Sequence, residues 1–183
     1  MVLTQHGYAP KKNYFSHLLD EIDDLKSEDV PQWDVVEFDP LLDSSNMSVD
    51  HWVMIGREIE SRYNEYDGFV VLHGTDTMSY TASALSFMLE NLNKPVILTG
   101  SQIPLCQIRS DGRDNLISSM IIAAEGVVKE VCLFFAGNLL RGNRSTKISA
   151  DELVAFSSPN YPPLAVAGID IKYNYSALAR PAH

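Results

Sequence analysis

The chain has 183 residues, 45% of them hydrophobic, a length that allows one domain burying about 70% of its unfolded surface. Acidic residues outnumber basic ones by 24 to 14, a formal net charge of −10, which excludes the basic footprint of a nucleic-acid binder and disfavours an anionic membrane surface. No apolar run approaches the roughly 20 residues that span a bilayer, no secretory leader pattern opens the chain, and Cys106 and Cys132 stand far apart, as reduced thiols rather than a disulfide or metal pair.

Residues 1–12 are short and polar, with Gly7 and Pro10, and read as a loop. From Asn13 onward, Phe15, Leu18, Leu19, Ile22 and Leu25 recur at helical spacing with acidic residues between them, which predicts one amphipathic surface helix. Trp33 to Phe38 reads as a short strand ended by Asp39-Pro40, and Asp43-Ser44-Ser45-Asn46-Met47 as a polar loop behind it. Ser48 then opens a helix with Trp52, Ile55, Ile59 and Tyr63 on one face.

Gly68 to Leu72 is a continuous apolar, β-branched run without polar alternation, which suits a strand buried on both faces of a parallel sheet. A helix from about Tyr80 to Leu92 is expected to bury Ala84, Leu85, Met88 and Leu92. Val96 to Thr99 is a second buried strand, ending in Gly100-Ser101. A loop carrying Arg109-Ser110-Asp111-Gly112 leads to Asp114 as the cap of a helix holding Leu116, Ile117, Met120 and Ile121, and Val131 to Phe135 is a third strand. Beyond Gly137, Asn138 to Gly142 fits a short strand, Arg144 to Lys147 a polar turn, Ser157 to Pro163 a loop, and Ile169 to Ile171 at most a small strand. The alternation predicts an α/β fold, an open, mostly parallel sheet with right-handed crossovers.

Ligands of such sheets gather at the carboxyl ends of the strands. There His73-Gly74-Thr75-Asp76-Thr77-Met78 sets a hydroxyl beside a carboxylate, after a glycine that permits a sharp turn. Taken alone, Asp76 and Thr77 lean toward capping the next helix, a contribution of about 1 kcal/mol. Asp43, Ser44 and Ser45 have a rival reading as a turn capping the helix from Ser48, and Lys147 as a surface lysine in a turn. His73 has no second metal ligand at a recognisable spacing and is expected to be a hydrogen-bonding residue.

The string from His73 to Met78 resembles the second signature of the bacterial-type L-asparaginase family, particularly its cytoplasmic type I branch. In the same order, Leu41 to Met47 looks like the family's substrate-carboxylate loop and Tyr80 to Asn91 is similar to its type I helix. Thr99-Gly100-Ser101-Gln102-Ile103-Pro104, Arg109 to Gly112 and Arg141 to Lys147 also match, so the resemblance covers nearly the whole chain. It implies a Rossmann-like or flavodoxin-like N-terminal α/β domain with helices on both faces over residues 1–165, with 166–183 a linker toward a C-terminal domain.

The resemblance further implies hydrolysis of L-asparagine to L-aspartate and ammonia through a threonine acyl-enzyme, chemistry that needs a hydroxyl nucleophile, a base and oxyanion donors. Thr75, Asp76 and Lys147 would form the proton-handling group, with Asp76 also facing the substrate's ammonium. Asp43, Ser44 and Ser45 would bind the α-carboxylate and amine, Ser101 would line the amide pocket with its backbone, and Tyr8 would be the mobile-loop tyrosine that assists the nucleophile. The implied protein is a cytoplasmic homo-oligomer acting on a small molecule, with no cofactor, metal, nucleic acid or membrane.

The family's first signature, a strand ending in Thr-Gly-Gly-Thr-Ile-Gly whose second threonine is the primary nucleophile, is matched nowhere in this chain, and Thr4 stands in no such motif. The family's first strand and smaller C-terminal domain are therefore expected to be missing and the lone chain to be impaired. The alternative is a non-catalytic amino-acid-binding or regulatory remnant. A nucleotide-binding domain is disfavoured, since no Gly-x-Gly-x-x-Gly or phosphate loop follows a strand.

Overall fold

The computed structural model describes residues 2–4, 7–9, 14–39 and 41–179. Its centre is a six-stranded sheet built from β3 (Phe69–Leu72), β4 (Val96–Thr99), β5 (Val131–Phe135), β6 (Asn138–Arg141), β9 (Ala165–Ala167) and β10 (Ile171–Tyr173) in the order β10-β9-β6-β5-β4-β3. The three apolar runs form the parallel part, with Phe69 opposite Val96 and Val96 opposite Val131. β6 returns antiparallel to β5, β9 is antiparallel to β6 and β10 to β9. Four of the six strands (β3, β4, β5 and β9) therefore point the same way.

The period-two pleat distributes the apolar side chains to two cores. On one face Val96, Leu98, Val131, Leu133 and Phe135 pack under α2 (Val49–Ser61) and α3 (Met78–Met88), meeting Ile55, Ile59, Met78, Ala82 and Leu85. On the other face Ile97, Cys132 and Phe134 meet Ile122 and Ala123 of α4 (Gly112–Glu125). Leu19, Ile22 and Leu25 extend that side against Leu116 and Met120. Each fully buried Leu or Ile contributes about 1.5–3 kcal/mol, so the framework beneath the strand ends is set by packing. No helix among the described residues is long and apolar enough to cross a membrane.

Several local expectations are corrected. Residues expected to be loop near the start form a hairpin, β1 (Val2–Thr4) with β2 (Gly7–Ala9), Leu3 opposite Tyr8. The single helix expected from Asn13 is α1 (Tyr14–Asp20) followed by a 3-10 turn at Asp23–Lys26. The break falls where Asp20, Glu21, Asp23 and Asp24 would crowd the negative end of the helix dipole. Trp33 to Phe38 forms no strand and pairs with no described strand. Trp33 and Val35 instead pack sideways on the Leu19–Met120 cluster, leaving β3 at the sheet edge.

α3 starts two residues earlier than expected and ends at Met88, where Leu89 leaves helical geometry and Asn91 takes a φ of +56°. Ala84 is only partly buried there and Met88 is exposed. α4 starts at Gly112, with Asp111 rather than Asp114 at the N-cap position. The turn expected at Arg144 to Lys147 contains β7 (Thr146–Lys147), antiparallel to β8 (Phe156–Ser157). β9 runs across residue 165, and Ala177 beyond it is 3% exposed.

Candidate active site

The turn after β3 is fixed before any charged group comes into play. His73 continues the ladder through its N–H to the Thr99 carbonyl (2.9 Å). Its ring joins the turn to two helices: Nδ1 stands 2.7 Å from the Gly74 carbonyl and Nε2 2.9 Å from Thr81 Oγ1, which also accepts the Trp52 indole N–H at 3.0 Å. A carbonyl only accepts, so Nδ1 carries the proton and Nε2 accepts from the Thr81 hydroxyl. His73 is thus a neutral, satisfied hydrogen-bonding residue. Trp52, which spacing showed only as a helix-face residue, and Thr81, which no sequence signal singled out, complete the link.

This arrangement has a pH signature. Burial lowers the affinity of the His73 ring for a proton below its ordinary value of 6.5, and the bond to Gly74 offsets part of that. The unfolded chain therefore takes up the proton first as pH falls, so the contribution is fully present above about pH 6.5 and is lost as pH drops through the lower folded value. Urea unfolding between about pH 7.5 and pH 5.5 is expected to show a shallower loss of stability for His73→Gln than for the parent.

Beyond Gly74 the side chains turn to chemistry. Thr77 occupies the N-cap position of α3 without capping it. Its hydroxyl instead donates to the Ser44 carbonyl at 2.6 Å, docking the 43–46 loop on the turn. Asp76 does not cap α3 either: its Oδ1 accepts from Lys147 Nζ at 3.0 Å. The same amine donates to Thr75 Oγ1 at 2.9 Å. Thr75 and Asp76, in the turn after β3, and Lys147, in β7, are therefore one hydrogen-bonded group.

The Lys147 side chain is 19% exposed and that of Asp76 65%. An ion pair this open contributes only about 0–1 kcal/mol, so it does little to hold the fold. The Asp76 carboxylate is open to solvent, while Thr75 and the Lys147 side chain beside it are partly buried.

Of the remaining candidates, Asp43, Ser44, Ser45 and Ser101 make no hydrogen bond to this group among the described residues. Asp43 accepts the Ser45 backbone N–H at 3.0 Å and caps the 3-10 turn Ser44–Asn46, while α2 is closed by its own His51, whose ring accepts the Ser48 N–H at 3.1 Å. Ser44 is partly buried against Gly74, and Ser45 is exposed. Ser101 follows β4, one strand over from Thr75. The backbone of Tyr8 is in β2, and its side chain lies outside the described residues. Among the described residues no group of three or more His, Cys, Asp or Glu could hold a metal ion.

The family model for the asparaginase N-terminal region matches residues 3–179. The chain belongs to the asparaginase family. L-asparaginase 1 of Escherichia coli strain K12 is 51% identical over 172 residues, covering 94% of this chain and 51% of that protein. L-asparaginase of Dirofilaria immitis is 44% identical over 198 residues, covering 94% of this chain and 33% of that protein. The crystal structure of L-asparaginase I from Vibrio cholerae aligns with a TM-score of 0.88 at 49% identity, over 95% of this chain and 54% of that one. This asparaginase-family chain thus spans about half the length, or less, of these relatives, and its α/β fold is the one they share.

Proposed function

We propose that this chain is the part of a cytoplasmic, homo-oligomeric L-asparaginase that binds L-asparagine and moves the proton as its side-chain amide is hydrolysed to L-aspartate and ammonia. The observation that carries the reading is the convergence of Lys147 Nζ on Thr75 Oγ1 at 2.9 Å and Asp76 Oδ1 at 3.0 Å. In the proposed reaction a threonine hydroxyl attacks the amide carbon, a covalent ester forms as ammonia leaves, and water resolves the ester. Lys147 is the base that takes the proton through the Thr75 hydroxyl, and Asp76 orients the amine.

Asp76 also receives the substrate's α-ammonium. Asp43, Ser44 and Ser45 take the α-carboxylate and amine, the Ser101 backbone lines the amide pocket, and Tyr8 assists the nucleophile. The open Asp76 carboxylate leaves a face for a second copy to close.

The test is ammonia release from L-asparagine by the complete polypeptide that carries these residues, with Thr75→Ala as its control. Turnover that falls about 10²-fold or more in Thr75→Ala supports the proposal. Binding of asparagine without ammonia release would replace it with the non-catalytic amino-acid-binding reading.

A further inference from the structure

The Asp111-Gly112 motif and the helix it opens are not used by the chemistry above, yet they contact the strand ends where that chemistry sits. Asn115, 3% exposed in the first turns of α4, has its amide fully engaged. Its Nδ2 donates to the Gly100 carbonyl at 3.0 Å and lies 3.4 Å from Asp111 Oδ2, while its Oδ1 accepts the Ala136 N–H at 3.0 Å. Gly100 follows β4 and Ala136 follows β5, so one side chain spans the carboxyl ends of two neighbouring parallel strands.

Asp111 adds a second hold on the same stretch. Its carboxylate accepts the Gln102 N–H, 3.1 Å from both oxygens, and the Ile103 N–H at 2.9 Å. α4 also leaves no clearance there: a Cβ on Gly112 would come within 2.9 Å of the Ser101 Cβ. The Ala136 end of the tie is under strain of its own. Ala136 and Gly137 have φ of +47° and +78° in the two-residue turn that joins Phe135 to its partner Asn138. Such turns prefer Asn or Gly where this chain has Ala. A left-handed alanine persists when its surroundings over-determine it, and the Asn115 bond does so here.

We propose that Asn115, backed by Asp111, is a positioning residue for substrate binding: it fixes the Gly100–Ile103 backbone, and with it Ser101, against the end of β5. The inference rests on the amidohydrolase reading given above. A purely structural asparagine would serve the helix or core that carries it, whereas these bonds leave α4 for the two strand ends flanking Ser101. Thr75 and Lys147 are held by β3 and β7 and do not depend on Asn115. Its loss should therefore weaken substrate binding more than the chemical step.

Asn115→Asp keeps the shape and the acceptor toward Ala136 but sets a second carboxylate oxygen against the Gly100 carbonyl and Asp111. In the complete polypeptide it is expected to raise KM for L-asparagine about tenfold or more while kcat stays within about threefold. Asp111→Asn, which weakens the hold on Gln102 and Ile103, is expected to move KM the same way and serves if Asn115→Asp does not fold. Ile122→Val, a change in the α4 core away from the strand ends, is the control for lost stability.

A KM shift in the two variants but not in Ile122→Val supports the proposal. An active parent whose folded variants keep the parental KM overturns the positioning role alone, as does a KM shift that Ile122→Val reproduces. If the parent neither hydrolyses nor binds asparagine, the amidohydrolase reading falls and this one with it. If it binds without turnover, calorimetry in place of kinetics reads the same comparison.

Discussion

Lys147→Met is expected to lower kcat for L-asparagine about 10³-fold, within the range that loss of a general base produces, with KM changed far less. Methionine keeps most of the partly buried stem and removes only the amine that reaches Thr75 and Asp76. An ion pair with one partner this open contributes about 1 kcal/mol at most, so the melting temperature should move little, and loss of activity without loss of fold identifies a chemical role. Lys147→Arg sharpens the test. Arginine restores the positive charge and the donors but does not give up its proton. It should therefore fail to rescue if the lysine is a base, and rescue substantially if it only stabilises charge. Steady-state ammonia release in both variants decides between these, and activity retained in Lys147→Arg would sink the assignment of the base.

What could be read from the residues follows from how local the determining forces are. β4 and β5 were legible because a strand buried on both faces has to be apolar throughout, and the lengths of Val96–Thr99 and Val131–Phe135 allow little else. Phe69–Leu72, equally apolar, is a strand too but only partly buried along its length, because it is the edge of the sheet. Trp33 to Phe38 misled because alternating burial looks the same in a paired strand and in an unpaired segment lying sideways on a core. The strands β7 to β10 have two or three residues each, too few to carry a pattern. Asp111 was overlooked in favour of Asp114 because its carboxylate is engaged with Gln102 and Ile103, a tertiary contact that no capping rule registers.

The site divides along the same line. Thr75 and Asp76 are adjacent in the chain and suggested themselves. Lys147 is 72 residues from Thr75, and spacing alone pointed to a surface lysine, so only the ordered resemblance along the chain singled it out. The tie from Trp52 through Thr81 to His73 needed the fold itself, since nothing in a helical repeat says that a residue of one helix and a residue of another converge on a strand end.

Gly74→Ala should show how much of the site depends on the 43–46 loop. A Cβ at residue 74 would stand 2.2 Å from Ser44 Oγ and 2.6 Å from Ser44 Cβ, where ordinary contact begins at 3.4 Å. The Ser44 hydroxyl can rotate away, but the Cβ contact still requires one side to give way by about 0.8 Å (3.4 − 2.6). β3 is anchored through His73 to Thr99, Gly74 and Thr81, while among the described residues the loop is tied to the turn by one hydrogen bond, Thr77–Ser44 at 2.6 Å. The loop is therefore the part that moves, taking Asp43, Ser44 and Ser45 away from the Thr75–Lys147 group. A displacement of about 1 Å in substrate-positioning groups costs on the order of 10²-fold, and here it should appear as a rise in KM with a smaller fall in kcat. Gly56→Ala provides the contrast. Its Cβ would meet Met88 Cε at 3.4 Å and Leu85 Cδ2 at 3.9 Å, ordinary contacts, and in the interior of α2 alanine is favoured over glycine by up to about 1 kcal/mol. It should leave the kinetics alone and raise the melting temperature. If Gly74→Ala keeps the parental KM, the 43–46 loop is not where the carboxylate and amine of asparagine are bound.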